Sequence, residues 1–341
     1  MNKQLLADLC AIDGVSGHEH AVRDFILERL SEHSAHIDTI QVDNMGNVLV
    51  HLIGKERANK VVQFDAHMDE VGFIITNIGE DGFLRFDTVG GIDSKALFGH
   101  RVRIGKQMGV IGGKAGHQCS SDETKKVPSV GNLTIDIGAE NREEAEKLVK
   151  IGDVGTFDNT LVWLGDDRFL GKAVDDRVGC MLLLEMAKQQ PARDIWLSFS
   201  VQEEIGLRGA GIATEAIRPD YAVAIDATTA ADVAGNSPEQ SVCFVGQGAV
   251  VSFADRATLY DPVLYQRIRA LAEEKGIPTQ TKTTVAGGNN AGAMQGRHTG
   301  VHMAAVSLPC RYIHSSACMG KAQDVDAMYE LLTVLSEELT K

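Results

Sequence analysis

Residues 175–204, DDRVGCMLLLEMAKQQPARDIWLSFSVQEE, contain the pattern that decides the fold class. After two aspartates that can cap a helix, residues 177–190 carry apolar side chains at helical spacing. Residues 194–202 then form a short apolar run that is typical of a buried strand. A helix followed directly by a buried strand predicts an α/β domain, with a mainly parallel core sheet between layers of helices.

The same alternation occurs towards both ends of the chain. Residues 2–33 predict two helices around a turn, where Ser16 and Glu19 have the spacing of a capping box. The runs VVQFDAH (61–67), YAVAID (221–226) and HMAAVSLPC (302–310) predict strands, and residues 324–341 predict a closing amphipathic helix.

The middle of the chain has a different character. From about residue 70 to 165 it is rich in glycine and contains short runs of alternating polarity, such as FLRFDTV (83–89) and LTIDIGA (133–139). This pattern predicts a small, mostly antiparallel β domain or barrel. We therefore interpret residues 1–69 and 166–341 as one α/β catalytic domain, into which a β-rich domain of residues 70–165 is inserted.

Bulk composition excludes several classes of function. The formal net charge of -14 disfavours nucleic acid as a partner. No apolar run approaches the roughly 18 residues of a membrane-spanning helix, so no membrane partner is expected. The six cysteines have no CxxC spacing, and the start of the chain has no apolar segment typical of a signal peptide. We expect a cytoplasmic protein.

Polar side chains gather where the predicted strands end. In an α/β sheet, sites form outside the carboxyl ends of the strands, so these side chains can converge. Two imidazoles with several carboxylates suit zinc, cobalt or manganese, and a further carboxylate can act as general base. The candidates are His67, Asp69, Asp175, Asp176, Glu203, Glu204, Asp226 and His314.

Each candidate also has an ordinary structural interpretation. Asp175 and Asp176 can be helix caps, and Glu203 with Glu204 can form a solvated helix start. Asp226 can be a turn residue, and the two histidines can simply pack beside their neighbours. The ordered set of strand-end residues favours a site over these separate explanations.

Five motifs, in this order, resemble those of the tetrahedral, or glutamyl and deblocking, aminopeptidases. They are AHMDEVGF (66–73), GKAVDDRVGC (171–180), SVQEEIGLRGA (200–210), AIDAT (224–228) and RYIHSSACM (311–319). Members of that family are dinuclear metallopeptidases, and some have been labelled cellulases or endoglucanases.

The resemblance implies a role for each matching residue. His67, Asp175 and Asp226 would hold one divalent ion, and Asp175, Glu204 and His314 the other. Zinc or cobalt is expected, with manganese as an alternative. Glu203 would be the general base, and Asp69 would orient His67.

The resemblance also implies peptide substrates and a homo-oligomer, in which dimers formed through the β-rich insert build a dodecamer. One position departs from the family pattern: GGNNAGAM (287–294) has Asn290 where an aspartate is usual, and we expect that residue to affect substrate binding. Three alternatives stay open. They are a metal-dependent amidohydrolase or deacylase of small molecules, a glycosidase, and a catalytically silent metal-binding scaffold.

Overall fold

The structure is a computed structural model that describes residues 1–32 and 34–341. The helices are α1 (Lys3–Ala11), α2 (His20–Ser31), α3 (Arg142–Leu148), α4 (Val174–Ala187), α5 (Ala210–Ile217), α6 (Pro262–Lys275), α7 (Ala291–Met294) and α8 (Ala322–Leu339). The strands are β1 (Ile37–Val42), β2 (Val48–Leu52), β3 (Val62–His67), β4 (Gly72–Ile78), β5 (Leu84–Val89), β6 (Arg101–Ile104), β7 (Gln107–Gly113), β8 (Leu133–Asp136), β9 (Val154–Phe157), β10 (Val162–Leu164), β11 (Arg168–Gly171), β12 (Ile195–Ser200), β13 (Tyr221–Thr229), β14 (Ala249–Val251), β15 (Thr279–Thr281), β16 (His302–Cys310) and β17 (Cys318–Lys321).

The central sheet has eight strands in the order β1-β2-β12-β3-β13-β16-β14-β15. Its four middle strands, β12, β3, β13 and β16, run parallel to one another. The antiparallel pairs lie towards the margins. Parallel middle strands bring their carboxyl ends to one edge of the sheet, which is where a site is expected.

Alternate residues of the middle strands enter two separate cores, because successive side chains point to opposite faces of a sheet. In β13, Val223 and Ile225 join the core that contains α1, α2, α4, α6 and α8. Ala222 and Ala224 join a smaller core with residues of α5 and α7. Helices therefore cover both faces, and the predicted α/β fold class is confirmed.

Between β3 and α4 the chain forms a closed barrel with the strand order β4-β5-β8-β7-β6-β9. Its antiparallel strands surround a core of their own, which includes Phe73, Ile111 and Phe157. The predicted small β barrel is thus present. A separate three-stranded sheet, β10-β11-β17, follows it. The role of the barrel in dimer contacts stays a prediction.

Two local predictions are wrong. Ser16 and Glu19 do not form a capping box: the Ser16 hydroxyl donates to Asp69 at 2.6 Å, and the Glu19 carboxylate accepts from the backbone N–H of Gln202 at 3.1 Å. Glu19 also accepts from the backbone N–H of Gly17 at 2.8 Å, so neither side chain bonds as a capping box requires. Asp226 does not end its strand, because β13 stays paired with β16 as far as Thr229. Among the described residues, no helix is long and apolar enough to cross a bilayer.

Candidate metal centre

The site lies where β3, β12 and β13 meet the start of α4. His67 is the last residue of β3, and Glu203 and Glu204 follow β12. Asp226 lies in β13 just beyond the last residue of that strand that pairs with β3. Asp175 precedes the regular turns of α4, where Asp176 accepts from the backbone N–H of Gly179 at 3.0 Å and caps the helix.

His67 is fixed by backbone contacts on one side of its ring. Its Nδ1 lies 3.0 Å from the carbonyl oxygen of Asp69, which leaves Nε2 facing Asp175 at 3.2 Å and Asp226 at 3.8 Å. The Asp69 carboxylate accepts from the backbone N–H groups of Glu203 and Glu204 at 3.0 and 3.1 Å. Asp69 therefore holds both the imidazole and the segment that carries the paired glutamates.

His314 has the same arrangement at the opposite side of the centre. Its Nδ1 lies 2.8 Å from the carbonyl oxygen of Gly91, which belongs to the segment between β5 and β6. Its Nε2 faces Asp175 and Glu204, each at 3.2 Å. The barrel thus supplies a backbone group that orients one of the two imidazoles.

Asp175 lies between the two histidines. One of its carboxylate oxygens faces His67 and the other faces His314, each at 3.2 Å. This is the geometry that a carboxylate bridging two ligand sets requires. Glu204 Oε1 is buried without a hydrogen-bond partner among the described residues, so it has a free ligand position.

The centre contains four carboxylates and two imidazoles, and its electrostatics reflect that excess. Burial raises the pKa of Glu203 well above its usual range, and the Asp226 and Glu204 carboxylates add to the shift. Burial and Asp175 raise the pKa of Asp226 to about 7. Although burial opposes it, the two imidazoles lower the pKa of Asp175. A centre with this balance attracts cations.

The residues present fit divalent metal ions. Three sets of side chains place one ligand atom each within 4.8 Å of one another: His67 with Asp175 and Asp226; Asp175 with Glu204 and His314; and His67 with Glu203 and Glu204. Both imidazoles offer Nε2 while a backbone carbonyl holds Nδ1, as metal-binding histidines usually do. Imidazole and carboxylate together suit zinc and related ions.

Comparison with known proteins identifies the family. The family model described as M42 glutamyl aminopeptidase matches residues 46–331. The chain belongs to the M42 family. It is 34% identical to the lysyl aminopeptidase of Pyrococcus furiosus, over 98% of this chain and 97% of that protein.

Solved structures of M42-like proteins have the same fold as this chain. The aminopeptidase APDkam598 of Desulfurococcus kamchatkensis superposes with a TM-score of 0.92 at 33% identity, over 99% of this chain and 94% of that one. The TET1 peptidase of Pyrococcus horikoshii, which assembles into a tetrahedron or an octahedral shell, gives 0.85 at 32% identity and 98% coverage of both chains. This M42 chain is therefore an aminopeptidase of the metallopeptidase class.

Asn290 contacts β3 and β12, two strands that lead to the M42 centre, with its side chain in the protein interior. It is 3% exposed, and its Nδ2 donates to Asp65 at 2.8 Å and to the Ser200 hydroxyl at 2.9 Å. Its expected effect on substrate binding stays a prediction. We did not predict Asp65 as its partner, although a carboxylate inside the apolar run VVQFDAH was a signal that a buried donor would be needed.

A cleft of about 520 Å³ opens from the M42 centre. The four carboxylates of the centre line it, together with the segments 256–257, 282 and 286–289. Sequence reasoning missed Arg256 and Lys282, because neither belongs to a strand-end motif. Apart from the side chains of the centre itself, these two carry the only charges among the described lining residues.

Proposed function

We propose that this M42 aminopeptidase uses two divalent ions per chain to remove amino acids from the N-terminus of peptides. The observation that supports this most strongly is the position of Asp175, whose two oxygens face two imidazoles that are each held in the ligand orientation. His67, Asp175 and Asp226 would hold one ion. Asp175, Glu204 and His314 would hold the other.

The bound ions would polarise the scissile carbonyl and lower the pKa of water in the cleft. Every proton transfer then depends on the chain itself. Glu203 is almost buried and lines the cleft, and its carboxylate forms no hydrogen bond within the described residues. It is therefore free to accept a proton from the attacking water and to return it to the leaving amine. Asp69 positions Glu203 through the backbone N–H of that residue.

We also propose that the chain forms a homo-oligomer through the β-rich insert, with dimers assembling into a dodecamer. The TET1 relative supports closed assembly, because it forms tetrahedral and octahedral shells. Apolar side chains on the barrel surface, such as Phe98 at 53% and Val110 at 44% exposure, are available for such contacts. Multi-angle light scattering on the purified protein tests the assembly.

The test of the enzymatic proposal is reconstitution of chelated protein with zinc, cobalt or manganese. We expect activity on aminoacyl p-nitroanilides to return with the metal. Elemental analysis of the active protein should then find two ions per chain. The matched substrates carry an N-acetyl group on the same residues, and we expect no cleavage of them.

Three outcomes would contradict the proposal. Equal cleavage of the acetylated substrates would indicate a deacylase. Two bound ions without hydrolysis of any substrate would indicate a scaffold. Hydrolysis of cellulose that survives chelation would indicate a glycosidase.

A further inference from the structure

The two histidines of the metal centre are supported in different ways. His67 ends β3, a strand that is paired on both sides, and its side chain is 1% exposed. His314 lies instead in the segment that joins β16 to β17, which we call the His314 loop (residues 311–317), and its side chain is 30% exposed. The position of the His314 ring therefore depends on the contacts that hold this loop.

The backbone of the His314 loop has an unfavourable conformation. Tyr312 and His314 have φ angles of 58° and 57°, which are left-handed values that disfavour residues with a Cβ atom. The base of the loop is fixed, because the Arg311 guanidinium donates to both oxygens of Asp232 at 2.8 Å and the Arg311 backbone pairs with Met319. The tip, residues 312–317, needs other contacts to keep this shape.

Three loops of the β-rich insert contact the tip. The Nδ2 group of Asn159 donates to the carbonyl oxygen of Ser316, and the Ser316 hydroxyl lies 3.1 Å from Nδ1 of His100. The carbonyl oxygen of Gly91 lies 2.8 Å from Nδ1 of His314. Among the described residues, the only other side-chain hydrogen bonds or ion pairs from outside the loop to its tip are those between His314 and the carboxylates of the centre.

The side chains of Asn159 and His100 are held in place by the insert itself. Asn159 Oδ1 accepts from the backbone N–H of Thr160 at 2.8 Å, which orients the amide so that Nδ2 faces Ser316. The His100 ring packs edge to face against Phe157 of the barrel core, with the ring centroids 5.8 Å apart. Ser316 is 8% exposed, so these contacts are shielded from water, where hydrogen bonds are stronger.

We propose that Asn159 and His100 are positioning residues for metal binding. Through Ser316 they hold the tip of the loop, so that His314 faces its ion. This inference rests on the proposed two-ion function. His67 is held by contacts within the α/β domain, so the ion in its ligand set does not depend on the insert in this way. Loss of either contact should therefore weaken binding of the ion that His314 holds and leave the other ion bound.

The experiment titrates the metal-free protein with cobalt and follows the visible absorption of the bound ion, with a competing chelator to give both dissociation constants. His100→Phe keeps a ring against Phe157 but loses Nδ1, whereas His100→Asn loses the ring and places an amide where Nδ1 was. We expect His100→Phe to raise one dissociation constant at least about 10-fold, as loss of a group behind a metal ligand does, and His100→Asn to stay near wild type. A role in barrel packing alone predicts the reverse order.

Asn159→Ala tests the second contact, and it should raise the same dissociation constant by a similar factor. The matched control is Asn77→Ala, at an exposed asparagine of β4 in the same barrel, which should leave both constants unchanged. His314→Ala identifies the ion that is lost. The cobalt spectrum of singly loaded Asn159→Ala should match that of singly loaded His314→Ala.

The outcomes separate this inference from the function beneath it. If the wild type binds two ions and cleaves aminoacyl substrates, but His100→Phe and Asn159→Ala bind both ions as tightly, the positioning inference is wrong while the function stands. If both dissociation constants rise together, the two residues support the fold as a whole and the inference is again wrong. If the wild type binds fewer than two ions or cleaves no aminoacyl substrate, the proposed function itself fails. Melting of each metal-free variant shows whether it folds, and the His100 variants decide the question even if Asn159→Ala does not.

Discussion

Two clusters of charged side chains, wholly or partly buried, flank the end of β3, and they differ in charge balance. The metal centre has four carboxylates and two imidazoles, and several of its polar atoms face the cleft. The second, which we call the Glu70 cluster, has two carboxylates and three cations. It consists of Asp13, Glu70, Arg103, Lys172 and Arg177.

The contacts of the Glu70 cluster are formed by the chain itself. Lys172 Nζ lies 2.7 Å from Glu70 and 3.2 Å from Asp13. Arg103, from the barrel, donates to both oxygens of Asp13 at 2.7 and 3.0 Å. Arg177 donates to the carbonyl oxygen of Met68 at 2.9 Å. The comparison indicates that charges paired with one another join the barrel to the α/β domain, whereas the carboxylate-rich centre has the composition of the proposed metal site.

The largest expected effect comes from Glu203→Gln, which should break the function of the first cluster and leave its structure intact. The amide keeps the size of the side chain but cannot accept the proton of the attacking water. We expect kcat to fall by about 10²- to 10⁴-fold, the usual contribution of a general base. Metal content by elemental analysis and the melting temperature should stay near wild type.

The control for this variant is Glu239→Gln, at an exposed glutamate, which should keep full activity. Near-normal turnover in Glu203→Gln would show that another group takes the proton. Loss of both ions would instead show that Glu203 is a ligand, as its place in one of the three ligand sets allows.

Lys172→Met should have the opposite signature, because it breaks the structure of the second cluster. It leaves the 3% exposed Glu70 carboxylate without its closest cation. Breaking a buried pair in this way costs about 3–5 kcal/mol of unfolding free energy. Urea unfolding of the metal-free protein measures it.

The matched control is Lys188→Met, which removes a partly exposed pair with Glu185 and should cost at most about 1 kcal/mol. If Lys172→Met lowered the unfolding free energy no more than Lys188→Met does, the Glu70 cluster would not stabilise the fold as the comparison indicates.

The sequence predicted the first cluster far better than the second, for a physical reason. His67, Glu203 and Glu204 come at or just after the ends of buried strands, and parallel strand ends must meet at one edge of the sheet. The α/β class and the barrel could also be predicted, because the pattern of polar and apolar residues differs between 70–165 and the rest of the chain.

The second cluster, Lys282 and the Asp65–Asn290 contact have no such topological rule. Lys172 meets Asp13 across 159 residues of chain only because the barrel and the opening loop pack together. Lys282 lines the cleft beside the turn at Gly287. Contacts of this kind depend on loop geometry, which local patterns do not determine.

Asn290→Asp tests charge balance at a third place, because it adds a buried carboxyl group beside the Asp65 carboxylate. Asn290 is the donor to the buried Asp65 carboxylate, and an aspartate would remove that donor and place a second carboxyl against the first. We expect the unfolding free energy to fall by about 2–3 kcal/mol, more than in Asn290→Ala, which removes the hydrogen bonds to Asp65 and Ser200 without adding a carboxyl group. Differential scanning calorimetry orders the two variants.

The double variant Asp65→Asn with Asn290→Asp exchanges donor and acceptor, and should recover much of the lost stability. If Asn290→Asp alone were as stable as wild type, the Asp65–Asn290 hydrogen bond would not explain why this chain has asparagine at position 290.

The smallest expected effect is that of Asp13→Asn, and its dependence on pH is the informative part. Burial opposes the shift, but Arg103 and Lys172 lower the pKa of Asp13 below its ordinary value of 3.8. The unfolded chain therefore binds this proton more readily than the folded chain, so the contribution of Asp13 to stability is present above pH 3.8 and is lost as the pH falls through the folded pKa.

Because the carboxylate is 36% exposed, we expect Asp13→Asn to lower the unfolding free energy by about 1 kcal/mol at neutral pH. Unfolding free energies of the metal-free wild type and variant should differ at about pH 7, and the difference should shrink as the pH falls below 3.8. The metal-centre carboxylates titrate in both proteins and cancel in the difference. A difference that stays constant with pH would mean that Asp13 acts through packing and hydrogen bonding alone, and the charge balance of the Glu70 cluster would not explain its role.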